Sequence, residues 1–181
     1  MSTEKKRALI PPNNSPDKDI VMTPQYLANE VVSYLPLYGT VLEPAAGTGA
    51  FVNAMKPLVG NTIDELHSCE LSEGTNFLDW DKKVDWVVSN PPWSKHRDFT
   101  NHAYTIAENI VWLITVNHCI GYRARLRDMK EAGWGVVNII KVDPPQAKEY
   151  PDWPQSGFQL GVVWYQKGYN GPMNWDDRAT R

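Results

Sequence analysis

Cysteine, long apolar runs and net charge are all scarce in this sequence. The only two cysteines, Cys69 and Cys119, form no CxxC pair and no metal-ligand spacing. Such sparse cysteine fits a reducing cytoplasm and argues against structural zinc and disulfides. The longest apolar runs, such as NIVWLITV, fall well short of the roughly 20 residues that span a bilayer, so no membrane association is expected. The net charge of -3 is not that of an avid, non-specific nucleic-acid binder.

The length of 181 residues suffices for one domain with a well-formed core and is too short for two ordinary ones. Residues 1–19, MSTEKKRALIPPNNSPDKD, are polar and lack the apolar segment of a secretory signal. We expect them to form a flexible arm. Residues 20–168 are expected to form a single folded domain, and residues 169–181 a C-terminal tail.

Apolar runs and helical patterns alternate along the chain, which predicts an α/β domain with a mostly parallel sheet. The first helix is predicted in TPQYLANEVVSYL, with Thr23 as N-cap and Pro24 at the first helical position. The last two predicted strands, GVVNIIKV and FQLGVVWYQ, have no helix between them and should be antiparallel. The earlier strands are predicted in TVLEP, LHSCEL, VDWVVS and NIVWLITV, and the later helices in AAGTGAFVNAMKPL, RDFTNHAYTIA and YRARLRDMKEA.

A glycine turn, EPAAGTGAF, joins the first predicted strand to a helix at residues 43–51. Gly47 and Gly49 let a backbone approach a ligand closely, although such a turn is also common as a purely structural connection. Glu43 precedes the turn, and its carboxylate favours a cationic or hydroxyl-bearing ligand over a phosphate. Glu70 ends the next strand, where α/β cofactor folds often place an acid for a ribose diol. A solvated charge at a strand end is the alternative for Glu70.

The strand VDWVVS ends in the corner Asn90-Pro91-Pro92-Trp93. Two prolines stop a strand, because neither donates to the ladder and each holds the residue before it extended. A rigid turn is the simplest interpretation. The corner also fixes the side-chain carbonyl of Asn90 and the neighbouring backbone carbonyl as acceptors beside the face of Trp93. Two such acceptors can take both hydrogens of an amine while the indole stacks on the ring that bears it.

The motifs EPAAGTGAF and NPPW, in this order and each after a strand, resemble the cofactor and catalytic motifs of S-adenosylmethionine-dependent amino-methyltransferases, in particular the N6-adenine family. MTPQYLANEVV resembles the upstream Thr-Pro helix of that family, and TNFLDW resembles its Asp-Phe-Leu segment. The likeness runs from about residue 20 to residue 168. It implies a catalytic domain with a Rossmann-like class I methyltransferase fold, S-adenosylmethionine as cofactor and no metal.

Only SEGTNFLDWDKK separates the second and third predicted strands. A parallel crossover normally needs a dozen or more residues with a helix. The family's usual third strand, which lies at a sheet edge, is therefore expected to be missing.

The resemblance implies two groups of site residues. The target base would be held by Asn90, Pro91, Pro92 and Trp93. The cofactor would be held by Thr23, Pro24, Glu43, Pro44, Ala45, Gly47, Gly49, Phe51, Glu70, Asn76, Phe77 and Asn90. Within the second group Asn76 and Phe77 would meet the cofactor adenine, and Asn76 stands where the family usually has aspartate.

The function that this resemblance implies is methyl transfer to the N6 amine of adenine in DNA, by direct in-line displacement. A base amine in RNA is the alternative target, and a protein glutamine amide is a weaker one. A catalytically idle cofactor-fold protein that acts as a binding subunit is a further interpretation. We expect no counterpart of the recognition domain that site-specific relatives carry, so sequence selectivity would be low, supplied by a separate recognition subunit or a homo-oligomer, or built from small loops. A phage or mobile element would suit such an enzyme.

Basic side chains near the corner and on one predicted helix are the candidate nucleic-acid contacts. They are Lys95, Arg97, Arg123, Arg125 and Arg127, with Lys130 on the same helix. An ordinary solvated helix face explains the helix cluster equally well. The loop at 144–154, with Tyr150 and Trp153, is another candidate. Three histidines, His96, His102 and His118, are expected to be surface or supporting residues rather than catalysts.

Overall fold

The structure is a computed structural model that describes residues 21–155 and 157–177. The predicted arm at residues 1–19 lies outside these ranges. The strands in them are β1 (Gly39–Glu43), β2 (Ile63–Ser68), β3 (Val84–Ser89), β4 (Ala107–Thr115), β5 (Trp134–Lys141), β6 (Leu160–Lys167) and β7 (Asn174–Asp177). The α-helices are α1 (Gln25–Ser33), α2 (Ala50–Met55), α3 (His96–Ile106), α4 (Val116–Ile120) and α5 (Arg123–Glu131).

The strands form one sheet in the order β2-β1-β3-β4-β6-β5-β7. Every neighbouring pair is parallel except those made by β6, which runs antiparallel to both β4 and β5. The predicted mostly parallel sheet with an antiparallel C-terminal strand is confirmed. Two 3-10 turns, Leu71–Glu73 and Phe77–Asp79, occupy the segment between β2 and β3. Since β2 lies at the edge of the sheet, the predicted loss of the third strand is also confirmed for the described residues.

Some element boundaries differ from the sequence predictions. Helix α1 begins at Gln25, because Pro24 has an extended backbone (ψ 143) and its carbonyl accepts from the N–H groups of Leu27 and Ala28. The segment VNHCI forms the short helix α4, which was not predicted. Strand β7 pairs in parallel with β5, so the segment predicted to be a tail contributes a strand to the sheet.

The sheet separates two hydrophobic cores. Helices α1 and α2 pack on one face, and α3, α4 and α5 contribute to the core on the other. Strand β3 serves both cores, since Trp86 and Val88 face the first and Val87 faces the second. Burial on both faces explains the continuous apolar run of this strand. Among the described helices, none is long and apolar enough to cross a membrane.

Candidate functional site

The carboxyl ends of β1, β2 and β3 lie side by side and bring three predicted site residues together. Glu43 ends β1, Glu70 follows β2 and Asn90 follows β3. The N–H of Cys69 donates to the carbonyl of Glu43 at 2.8 Å, and the hydroxyl of Ser89 donates to the Glu43 carboxyl group. In open parallel sheets this edge is where ligands bind.

Glu43 is a buried acid with 1% of its surface exposed. Its Oε1 accepts hydrogen bonds from the Ser89 hydroxyl and, at 3.0 Å, from the N–H of Ala45. Burial raises the pKa of Glu43 to about 8 against the effect of these two bonds, and the charge of Glu70 adds to the rise. Its Oε2 is buried and has no hydrogen-bond partner among the described residues. Once Glu43 is ionised, a buried oxygen without a partner favours a cationic ligand.

The carboxylate of Glu70 is tied to the glycine turn. Its Oε2 accepts from the N–H of Gly47 at 2.7 Å, and its Oε1 accepts from the N–H and hydroxyl of Ser72 at 3.1 and 2.8 Å. Partial burial acts to raise the pKa of Glu70, but these hydrogen bonds outweigh it and hold the pKa below its usual value. A carboxylate offers about four acceptor positions, so room remains for a ribose hydroxyl.

The turn after β1 has the left-handed backbone that its glycines allow. Gly47 has φ 51 and Gly49 has φ 82, a region that other residues rarely adopt. A Cβ atom added to Gly47 would lie 2.9 Å from the sulfur of Met22. The segment before α1 therefore packs directly on the turn, while Ala45 is partly exposed beside it.

Three predicted cofactor contacts are core residues. Phe51 is 4% exposed and packs in the core beneath α1. Phe77 is 1% exposed, and its ring centroid lies 4.9 Å from those of both Phe99 and His102. Pro44 is also buried. The rings of Phe51 and Phe77 therefore pack in the two cores, and a cofactor contact by either residue stays a prediction.

The segment between β2 and β3 presents other side chains to solvent. Asn76 caps the turn Phe77–Asp79: its Oδ1 accepts from the N–H of Leu78 at 3.2 Å, and its Nδ2 donates to Asp79 at 3.1 Å. Leu71 is 74% exposed and Leu78 is 40% exposed. Neither leucine was predicted to be exposed at the site. For Leu71 the available signal was its position directly after Glu70.

The side chain of Asn90 is held at both ends. Its Nδ2 donates to the carbonyl of Val21 at 3.3 Å and to the hydroxyl of Thr23 at 3.2 Å. Its Oδ1 accepts from the indole N–H of Trp93 at 3.3 Å. A carbonyl oxygen has two lone pairs, so one acceptor position remains for a target amine. Thr23, predicted as the N-cap of α1, accepts this bond from Asn90 instead.

Trp93 borders a cavity of about 280 Å³ beside the corner. This volume lies just below the roughly 300–1,000 Å³ of drug-sized ligand sites, and so suits a single planar base. The ring of His118 packs edge-on against Trp93, with the centroids 5.8 Å apart. The other lining residues come from the end of β4 and the loop before β6, namely Thr115, Pro144, Trp153, Pro154, Gln155, Gly157, Phe158, Gln159 and Leu160.

Most of the predicted basic contacts are engaged within the protein. Arg97 on α3 and Arg127 on α5 both pair with Asp128, at 2.7 and 3.8 Å. Arg125 donates to the carbonyl of His118, and its guanidinium lies 4.8 Å from the centroid of the Tyr122 ring. Lys95 and Arg123 are exposed. The exposed ion pairs are weak, so Arg97 and Arg127 remain able to exchange an acid for a phosphate.

The histidines near the corner support it through packing. His96 is 1% exposed, and burial, together with the nearby charges of Arg125 and His118, lowers its pKa to about 3. The imidazole of His96 is therefore neutral at physiological pH. His102 contacts the carbonyl of Trp80 at 2.9 Å through Nε2.

No protein-family model and no curated protein sequence matches the chain. Solved structures do match its fold. A candidate RNA methyltransferase from Pyrococcus horikoshii superposes with a TM-score of 0.62 at 18% identity, over 81% of this chain and 87% of that one. The 23S rRNA methyltransferase ErmE superposes with a TM-score of 0.54 at 11% identity, over 82% of this chain and 72% of that one. The M. jannaschii tRNA m1G37 methyltransferase superposes with a TM-score of 0.55 at 13% identity, over 84% of this chain and 52% of that one. At such identities the likeness establishes the Rossmann-like methyltransferase fold.

Proposed function

We propose that the protein transfers a methyl group from S-adenosylmethionine to the exocyclic N6 amine of adenine in DNA. The observation that supports this most is the corner at Asn90 and Trp93. It follows β3 at the same sheet edge as Glu43 and Glu70, and its Trp93 borders a cavity of about 280 Å³. The methyltransferase fold supports the reaction class.

The residues at the sheet edge fit the cofactor. When bound, S-adenosylmethionine supplies a methyl group activated by a sulfonium, together with an amino-acid end and a ribose diol. Glu43 has a buried acceptor without a partner, which suits the cationic end. Glu70 keeps an acceptor position for the diol, and the bare backbone of Gly47 permits close approach.

In the proposed mechanism Asn90 and Trp93 position the target base. The indole of Trp93 stacks on the base, and Asn90 Oδ1 accepts a hydrogen of the amine, which directs the nitrogen lone pair toward the methyl carbon. With the cofactor bound, the N–C bond would form as the S–C bond breaks, Asn90 Oδ1 would keep its hydrogen bond to the amine, and the surplus proton would be released from the methylated amine to solvent. Alignment alone can supply roughly 7–11 kcal/mol. The carbonyl dipole of Asn90 also stabilises the positive charge that grows on the nitrogen.

An adenine in a duplex must first leave the stack. Flipping costs a few kcal/mol, and stacking on Trp93 returns ~1–3 kcal/mol. The aromatic side chains Trp153 and Phe158 at the cavity add apolar surface for the extruded base.

RNA is the second candidate polymer. The P. horikoshii protein, ErmE and the tRNA methyltransferase are each described as acting on RNA, and all three share this fold. A single-stranded or looped RNA base needs no extrusion from a duplex. The same corner therefore serves an RNA adenine without change.

Binding and transfer assays test the proposal together. Calorimetry with S-adenosylmethionine should show binding by the wild type, and labelled cofactor should pass its methyl group to DNA in preference to RNA or protein. Asn90→Ala should bind cofactor but fail to transfer. Asn61→Ala is the matched control, because Asn61 is exposed at the amino end of β2, away from the site.

Each outcome has a distinct meaning. No cofactor binding would leave the idle binding-subunit interpretation, and label in RNA alone would favour the second candidate. Transfer by Asn90→Ala at the wild-type rate would overturn the assigned role of the corner.

A further inference from the structure

We infer that Thr23 is a positioning residue for the Asn90 side chain, in that its hydroxyl holds the amide in place at the corner. This inference rests on the proposed function. It concerns a contact between the segment before α1 and the corner after β3, two parts of the chain that are 67 residues apart in sequence.

The orientation of the Asn90 amide decides its chemistry. The oxygen accepts hydrogen bonds and the nitrogen only donates, so an amide rotated by half a turn would present the wrong group to an amine. In the structure Nδ2 faces two acceptors, the Thr23 hydroxyl and the Val21 carbonyl, while Oδ1 faces the indole N–H of Trp93.

Rotation of the amide would replace two of the three bonds with unfavourable contacts, whereas the Thr23 hydroxyl, which both donates and accepts, can bond either end of the amide. Nδ2–H would face the Trp93 N–H, and Oδ1 would face the carbonyl of Val21. The Thr23 hydroxyl lies on the side of the amide opposite Trp93 and is the side-chain partner there. The Val21 carbonyl and the Trp93 N–H set the orientation of the amide, and removing the Thr23 hydroxyl leaves the side chain less firmly held in that orientation.

Thr23 is available for this role because it does not cap α1. Pro24 occupies the N-cap position, and no side chain caps that end of the helix. While its oxygen accepts from Asn90, the hydroxyl still carries a hydrogen, and none of the described residues accepts it in a hydrogen bond.

The same segment also contacts the glycine turn. Met22 lies between Val21 and Thr23 in the chain, and its sulfur would be 2.9 Å from a Cβ on Gly47. Residues 21–23 thus touch the proposed cofactor turn on one side and the target-binding amide on the other.

Thr23→Val and Thr23→Ser test this role as a pair. Valine keeps the shape and loses the acceptor, and serine restores it. At saturating cofactor and substrate, Thr23→Val should lower kcat on the order of tenfold, which is the effect of one lost hydrogen bond in the transition state. Thr23→Ser should stay within about twofold of wild type. Thr62→Val, an exposed change at the amino end of β2, is the control.

A spectroscopic readout keeps the test independent of activity. In nitrogen-15-labelled protein the Asn90 side-chain amide signals are identified by their absence from Asn90→Ala. We expect their hydrogens to exchange several-fold faster in Thr23→Val than in wild type or Thr23→Ser. If valine disturbs α1, Thr23→Ala provides a second removal of the acceptor.

Unchanged kcat together with unchanged exchange in Thr23→Val would overturn the inference. If the wild type transfers no methyl group at all, the proposed function fails, while the exchange rates still decide whether Thr23 positions Asn90.

Discussion

Glu43→Gln tests whether the buried acid at the end of β1 carries a large desolvation cost. The pKa of Glu43 is about 8 in the native protein against an ordinary value of 4.5. Between those pH values the native chain holds a proton that the unfolded chain has released. At about 1.4 kcal/mol for each pH unit, the difference is worth about 5 kcal/mol.

The direction in which stability changes with pH follows from the raised pKa of Glu43. The contribution of Glu43 to stability is fully present below about pH 4.5 and is lost as the pH rises to about 8. Domains of this kind are stable by only about 5–15 kcal/mol, so the loss is a large fraction of the total. Glutamine keeps the shape and the hydrogen-bonding capacity but has no proton to release.

Urea unfolding of both proteins from about pH 5 to about pH 9 measures the effect. Titrating groups that the two proteins share contribute equally to both, so they cancel in the difference between the two unfolding free energies. We expect wild type to lose several kcal/mol relative to Glu43→Gln across this range. The exposed change Glu73→Gln should show no such trend. A difference that does not vary with pH would refute the reasoning, since Glu43 would then titrate normally in the native state.

The same group links pH to cofactor binding. A cationic ligand beside Glu43 favours its carboxylate, so binding below about pH 8 should release a proton. Calorimetry in two buffers of different ionisation enthalpy detects that proton. Glu43→Gln should bind without releasing it.

Two further substitutions separate site residues from core residues. Trp93→Ala should lower methyl transfer roughly 10- to 100-fold through the loss of ~1–3 kcal/mol of base stacking, whereas Trp93→Phe keeps the aromatic face and should stay within a few-fold in steady-state assays. Equal activity of the two variants would contradict stacking on this ring. Phe77→Ala should destabilise the protein by roughly 3–5 kcal/mol in urea unfolding, because its ring fills the second core. Unchanged stability with lost cofactor binding would instead support the cofactor contact that the sequence predicts for Phe77.

The sequence predicted the parts of the fold that depend on local pattern. The continuous apolar run of VDWVVS, the proline corner and the short gap after Glu70 each determine structure within a few residues, and the parallel sheet without a third strand followed from them. Strand β7 was missed because NWDD has no apolar alternation. Its pairing with β5 depends on tertiary contacts rather than on the local sequence pattern.

The site could be predicted in outline but not in its contacts. Glu43, Glu70 and Asn90 were recognisable because acids and amides at strand ends carry chemistry. The packing of Phe51 and Phe77 depends on neighbours that are distant in the sequence, such as Phe99. The bond between Thr23 and Asn90 spans 67 residues, and no local pattern indicates it.

The most direct test of the central claim identifies the methylated product. DNA treated with the protein and S-adenosylmethionine is digested to nucleosides and analysed by mass spectrometry, with RNA treated in parallel. We predict N6-methyladenine in the DNA sample for wild type and none for Asn90→Ala. A methyl group on another atom, or the same product from both proteins, would contradict the claim.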